Sequence, residues 1–243
     1  MFTVIETEQS KRRHFPLFGK ATGPSCDIDK IRAELSYLEE INGWKDMTLD
    51  SELVKNLIKG RECLTSKFQD NDGAYTNYHQ ILLTEFNSSD SAMPDRSVSD
   101  RLKNYKLDVK RTIPELDERN YNRPRAFLDK TPELKKVLNH FSDRLMRARF
   151  AKIKAGFSIK PHIDYDTTYG IRLHLAINTN DQCFLWARRS KSENFEKFFV
   201  PDDGCFYFVN AGFEHYASNE GLSDRSHLVL SIYGQQDIAH LKL

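Results

Sequence analysis

The chain has 243 residues, with 36 Lys and Arg against 35 Asp and Glu and a formal net charge of +1. That balance leaves no global field to recruit nucleic acid or an anionic membrane, so a small-molecule or peptide partner is expected. The length suits one large all-β domain or a barrel with a helical extension, and no apolar run approaches the roughly 18 to 20 residues needed to cross a bilayer.

Residues 1–130 read as a mixed, largely helical region without internal repeats, expected to pack on a barrel and supply part of a lid. Ile28, Ile31, Leu35 and Leu38 recur at helical spacing after a cap at Ser25, and Ser51 to Lys59 forms a shorter helix stopped by Gly60. Tyr78 to Phe86 reads as a strand added at the edge of the main sheet. Asn87 to Arg101, rich in Ser and Asp and containing Pro94, reads as a loop and is the candidate lid. A stronger helix follows, with Thr131 as cap, Pro132 in the first turn, and Leu134, Leu138, Phe141 and Leu145 as its buried stripe.

From Arg147 onward the periodicity becomes strand-like, with runs at about 147–154, 159–165, 171–178, 182–188, 195–200, 204–209, 213–217 and 226–233. Short strands separated by turns such as Pro201-Asp-Asp-Gly204 predict a mainly β fold with a helical extension. Its specific form is a double-stranded β-helix, a cupin-like jelly roll braced by helices, with residues 131–243 as its core. Cys26, Cys63, Cys183 and Cys205 form neither a C-x-x-C pair nor a zinc-like spacing. Nothing at the N-terminus resembles a signal peptide, so a cytoplasmic location is expected.

His162-Ile163-Asp164 is the most informative motif. Side chains two apart in a strand share a face, so His162 and Asp164 can bind one ion, with His215 closing the triangle from another strand. Two imidazoles and a carboxylate on one octahedral face leave the opposite positions open for a keto acid and dioxygen, as in ferrous oxygenases. Asp166 competes with Asp164 as the carboxylate ligand, and Asp164 is preferred on spacing. Arg225, at the head of a later strand, suits a bidentate contact to the far carboxylate of a dicarboxylate co-substrate. In 171–177, Arg172, His174 and Ala176 alternate with Ile171, Leu173, Leu175 and Ile177. Either Arg172 and His174 face water, or they line a polar cavity while the apolar row packs under helices. Arg188, Arg189 and Lys191 read as a solvated rim, and the aromatics from Phe195 to Phe208 as core rather than a base-stacking platform.

Lys160-Pro-His162-Ile-Asp164, Ile171-Arg-Leu-His-Leu175, Phe213-Glu-His215 and Arg225-Ser-His-Leu-Val-Leu230 together resemble the aspartyl/asparaginyl β-hydroxylase family of iron and 2-oxoglutarate dioxygenases. The likeness covers roughly the C-terminal 95 residues. It implies His162 and His215 as iron ligands, Arg225 as partner of the distal carboxylate of 2-oxoglutarate, and Arg172 and His174 as contacts to substrate or co-substrate. It also implies Fe(II), 2-oxoglutarate and O2 as the reactants that hydroxylate a C–H bond, with release of succinate and CO2. The family's peptide hydroxylases lack a carboxylate after the first histidine; Asp164 is present here, as in the free amino-acid hydroxylases, which favours a small carboxylate-bearing substrate anchored by Arg172. A serine that helps hold the keto acid in the peptide hydroxylases aligns with Ala151. Two rivals stay open: a hydroxylase of peptide or protein residues, and a cupin-like protein that holds a metal without turnover.

Overall fold

The computed structural model describes residues 14–46, 77–87, 118–165 and 167–242. The expected helix Ser51 to Lys59, Asp166, and the loop Asn87 to Arg101 beyond its first residue lie outside the described residues. In chain order the strands are β1 (Phe18–Lys20), β2 (Lys45–Asp46), β3 (Tyr78–Leu82), β4 (Thr84–Glu85), β5 (Arg123–Pro124), β6 (Leu145–Ile153), β7 (Phe157–Ser158), β8 (Ile171–Asn178), β9 (Cys183–Arg188), β10 (Glu196–Phe198), β11 (Tyr207–Val209), β12 (Glu214–Asn219) and β13 (Arg225–Ile232). Two α-helices accompany them, α1 (Ile28–Asn42) and α2 (Pro132–His140).

The major sheet runs β1-β11-β8-β13-β6-β3-β2 and the minor sheet β10-β9-β12-β7, while β4 and β5 form a separate ribbon. The eight strands from β6 to β13 therefore divide between two facing antiparallel sheets, with β6, β8, β11 and β13 in one and β7, β9, β10 and β12 in the other. That interleaving is the double-stranded β-helix. β1 extends the major sheet on one side and β3 and β2 on the other.

Strict alternation gives each sheet two different faces. On β8, Ile171, Leu173, Leu175 and Ile177 join Leu228, Leu230 and Ile232 of β13, and Ala148 and Phe150 of β6, in one apolar cluster. Ile31, Leu35 and Leu38 of α1 and Leu134, Val137 and Leu138 of α2 cover that cluster. The helices thus take the outer face of the major sheet, leaving its inner face to the polar residues of the same strands. A second cluster closes the gap between the sheets, with Ile153, Ala176, Tyr207 and Val209 from the major sheet meeting Leu185 and Ala217 from the minor.

Several local expectations are corrected. α1 is capped by Asp27 rather than Ser25: its carboxylate accepts the Lys30 N–H at 3.2 Å, and Gly43, at φ 63, ends the helix by donating its N–H to Glu39 O. Thr131 precedes α2 but its hydroxyl donates backward to Leu128 O at 3.2 Å. The free N–H groups of Glu133 and Leu134 are instead accepted by the Glu34 carboxylate of α1, at 2.7 and 2.8 Å. Leu145 belongs to β6, not to the helix. The run 159–165 is no continuous strand: after β7 only an isolated bridge pairs His162 with His215. Pro161, which has no N–H to give, interrupts the ladder between them. Among the described residues no helix is long and apolar enough to cross a membrane.

Candidate metal centre

That isolated bridge sets the geometry of the site. His162 N donates to His215 O at 3.0 Å and His215 N donates to His162 O at 2.9 Å, so the two residues face each other directly and their rings lie 4.5 Å apart between centroids. Asp164 N donates to Ala211 O at 3.0 Å, which fixes the next inward residue, while Ile163 points outward and is 49% exposed. One ligand atom from each of His162, Asp164 and His215 lies within 4.8 Å of the others. The Asp164 carboxylate is 3.7 Å from His162 Nε2 and 3.8 Å from His215 Nε2.

Both rings are oriented by backbone oxygen. His162 Nδ1 sits 2.8 Å from Lys160 O, and His215 Nδ1 sits 3.0 Å from Phe213 O. A carbonyl only accepts, so Nδ1 carries the proton in each ring and Nε2 keeps its lone pair toward the shared space. Burial, with His162 nearby, pushes the His215 imidazole down to about 3, partly opposed by Asp164, so His215 stays neutral and able to bind metal at physiological pH. The His162 side chain is 30% exposed, which opens the cluster to solvent on that side. Two imidazoles and a carboxylate match the donor set for ferrous iron.

Behind this cluster the inner face of the major sheet is laid out in rows. The register of β13 with β8 and β6 places Arg172, Ser231 and Arg147 in one row, His174, Val229 and Arg149 in the next, and Ala176, His227 and Ala151 in the third. Successive rows are about 6.6 Å apart, two residues along a strand. Arg225 lies beyond the third row. Arg172, His174 and Arg225 are all buried rather than in water.

Arg172 donates to the Asp164 carboxylate and to the Tyr165 hydroxyl, and Glu118 lies 3.9 Å away. Burial opposes its charge, but Asp164, Tyr165 and Glu118 more than compensate and hold the guanidinium well above its usual range. Tyr165 in turn donates to Ser231 Oγ at 2.9 Å, and Ser231 donates to Glu118 at 3.0 Å. Arg147 continues the network to Gln80 Oε1 at 2.9 Å. His174 is driven well below the imidazole range by burial and by Arg225, Arg172 and Arg149, so it is neutral.

Arg225 is buried at 3% exposure, with Nε 3.1 Å from His227 Nε2 and Nη2 2.9 Å from His227 Nδ1. A neutral imidazole accepts at one nitrogen only, so one of these contacts is not a hydrogen bond. Among the described residues no carboxylate pairs with Arg225. Burial lowers its pKa to about 10 even though Cys183 and Tyr78 pull the other way.

The family model for aspartyl/asparaginyl beta-hydroxylase matches residues 73–234. The chain belongs to this family. As a member of the aspartyl/asparaginyl beta-hydroxylase family it is a 2-oxoglutarate-dependent non-haem iron oxygenase, with Fe(II) as cofactor and 2-oxoglutarate and O2 as co-substrates. No curated protein matches the sequence. Among solved structures, the chain is similar to an oxidoreductase of the 2OG-Fe(II) oxygenase family from Burkholderia pseudomallei, at 9% identity over 87% of this chain and 92% of that one, with a TM-score of 0.37. It is also similar to the capsular polysaccharide assembling protein CapF from Staphylococcus aureus, at 16% identity over 37% of this chain with a TM-score of 0.30, a match spanning only 26% of CapF. A cupin domain from Bordetella pertussis is similar at 13% identity, over 37% of this chain and 83% of that one, with a TM-score of 0.28.

Sequence reasoning did not single out Arg147, Arg149, Glu118, His227 or Ser231. The two arginines of β6 carried a usable signal, since they alternate with Ala148 and Phe150 as Arg172 and His174 do with leucines. Glu118, in a single 3-10 turn, carried none.

Proposed function

We propose that His162, Asp164 and His215 hold the iron, that Arg225 receives the distal carboxylate of 2-oxoglutarate, and that the enzyme hydroxylates an unactivated C–H of a free amino acid. The observation that carries this reading is Arg225, a buried cation facing the inside of the sheet without a carboxylate among the described residues. Burying a charge without a counter-charge is costly, so a bound dianion supplies the missing partner. Ala151 and Ala176 are the small pair of the third row, flanking His227, and the keto-acid chain is assigned to the space beside them. Neutral His174 sits between that space and the iron ligands, where it can hydrogen-bond the keto acid without adding charge.

Bound iron supplies the oxidising chemistry that turns keto acid and dioxygen into succinate and CO2 and inserts one oxygen atom into the substrate. The protein's part is orientation and exclusion of water. Backbone carbonyls fix the two imidazoles, and Arg172 fixes the Asp164 carboxylate. Arg172 Nε makes no hydrogen bond in the buried site, leaving one donor for the substrate carboxylate. Asp164 itself favours a small molecule, since the family's peptide hydroxylases lack a carboxylate there, whereas the free amino-acid hydroxylases that the sequence resembles have one. An anaerobic titration tests the reading. Fe(II) should bind at one per chain, and 2-oxoglutarate should then bind only to the iron-loaded wild type with high affinity. His215→Ala should bind neither well, and unchanged Fe(II) binding in that variant would overturn the ligand assignment.

A further inference from the structure

Four arginines, Arg147, Arg149, Arg172 and Arg225, project from the inner face of the major sheet, each at most 5% exposed. Two buried carboxylates face them among the described residues, Asp164 and Glu118. Iron and 2-oxoglutarate bring charges of equal size and opposite sign, so binding both leaves the balance among these described groups unchanged. A free amino acid with one carboxylate is a zwitterion, so offering that carboxylate to Arg172 leaves the balance unchanged as well.

Arg149 has two unused donors. Its Nε and Nη1 are buried and make no hydrogen bond, and Glu118 Oε1 is 3.9 Å away, an ion pair too long to be a hydrogen bond. Arg147, one row over, already donates to Gln80. Arg149 stands across Val229 from His174, in the second row, so it borders the same interior as the iron ligands. It lies four residues of β13 from Arg225, about 13 Å along the strand, away from the keto acid's distal carboxylate.

We infer that Arg149, with Glu118 as its resting counter-charge, forms a second anion subsite, and that the substrate carries two carboxylates. This rests on the reading above, in which Arg172 takes the first carboxylate and Arg225 the keto acid. Glu118 lies 3.6 to 3.9 Å from Arg147, Arg149 and Arg172 and accepts the Ser231 hydroxyl at 3.0 Å. A ligand carboxylate reaching Arg149 then replaces a long ion pair with a charge-assisted hydrogen bond.

The test uses full-length protein loaded with Mn(II) and 2-oxoglutarate under anaerobic conditions, with binding followed by calorimetry. The probes are L-glutamate against L-glutamine and L-aspartate against L-asparagine, each pair differing by one charge. One acid should bind about tenfold or more tightly than its amide in the wild type. Arg149→Gln should erase that preference while leaving the amide and 2-oxoglutarate affinities unchanged, and Arg149→Lys should retain part of it. Glu118→Gln should tighten the acid several-fold, a gain that misfolding does not produce. Equal or absent binding of the acids in the wild type, or a preference that survives Arg149→Gln, overturns the inference. Loss of 2-oxoglutarate binding in Arg149→Gln overturns it too, by placing Arg149 at the co-substrate. Failure of the wild type to bind 2-oxoglutarate brings down the underlying reading as well, so the two failures are told apart.

Discussion

Replacing Arg225 with methionine should separate two effects that move in opposite directions. Burial that lowers the Arg225 guanidinium from its ordinary range to about 10 opposes folding by roughly 3 kcal/mol. Between that value and the ordinary one the unfolded chain binds the extra proton; below about 10 both states are protonated, so the penalty is fully present at neutral pH and is relieved only as pH rises through 10. Arg225→Met removes the buried charge and keeps much of the volume, so the ligand-free variant should be at least as stable as the wild type in urea. Its affinity for 2-oxoglutarate should fall by about two orders of magnitude or more, because truncating one partner of a buried charge pair costs about 3 to 5 kcal/mol. Calorimetry on Mn(II)-loaded protein gives the dissociation constant, and urea unfolding at pH 7.5 gives the stability. A variant that binds 2-oxoglutarate within threefold of wild type would refute the assignment of Arg225.

Glu34→Ala should cost about 1 to 2 kcal/mol in urea unfolding by leaving the first free N–H groups of α2 without their acceptor, a loss that Thr131→Ala should not match. His227 is held well below the imidazole range by burial, Arg225 and His174, so it binds no proton in the fold at pH values where the unfolded chain does. Stability of the metal-free protein should therefore fall as pH drops below about 6.5, and His227→Gln should make that fall shallower when urea midpoints at pH 7.5 and 5.0 are compared. Arg172→Gln should weaken metal binding by roughly 10- to 100-fold in an Fe(II) titration, since Asp164 loses the donor that orients it.

The motifs that carry the site were legible because they obey strand periodicity. Arg172 and His174 alternate with apolar residues, and the same period that buries the leucines under α1 and α2 turns the polar pair toward the interior. His162 and Asp164 were read by the same two-residue rule, but the segment around them is not a strand. Pro161 breaks the ladder, and the two residues share a face because the His162–His215 bridge and the Asp164–Ala211 bond hold them there. Long-range partners stayed out of reach. Ser25 and Thr131 look like caps from local sequence alone, whereas Asp27 caps α1 and Glu34, brought in by tertiary packing, serves α2. Glu118, which joins three buried arginines from a short turn, has no local pattern to announce it.

We propose that this site couples keto-acid breakdown to oxygen insertion into a small carboxylate-bearing molecule. The most direct test is an aerobic assay with Fe(II), 2-oxoglutarate and a panel of free amino acids and dicarboxylates, measuring succinate and product mass together. One substrate should give succinate and a product heavier by one oxygen atom in equal amounts, and both signals should vanish in His162→Ala and His215→Ala. Succinate formed undiminished by either histidine variant, or a folded protein as the sole substrate that gains oxygen, would contradict the account.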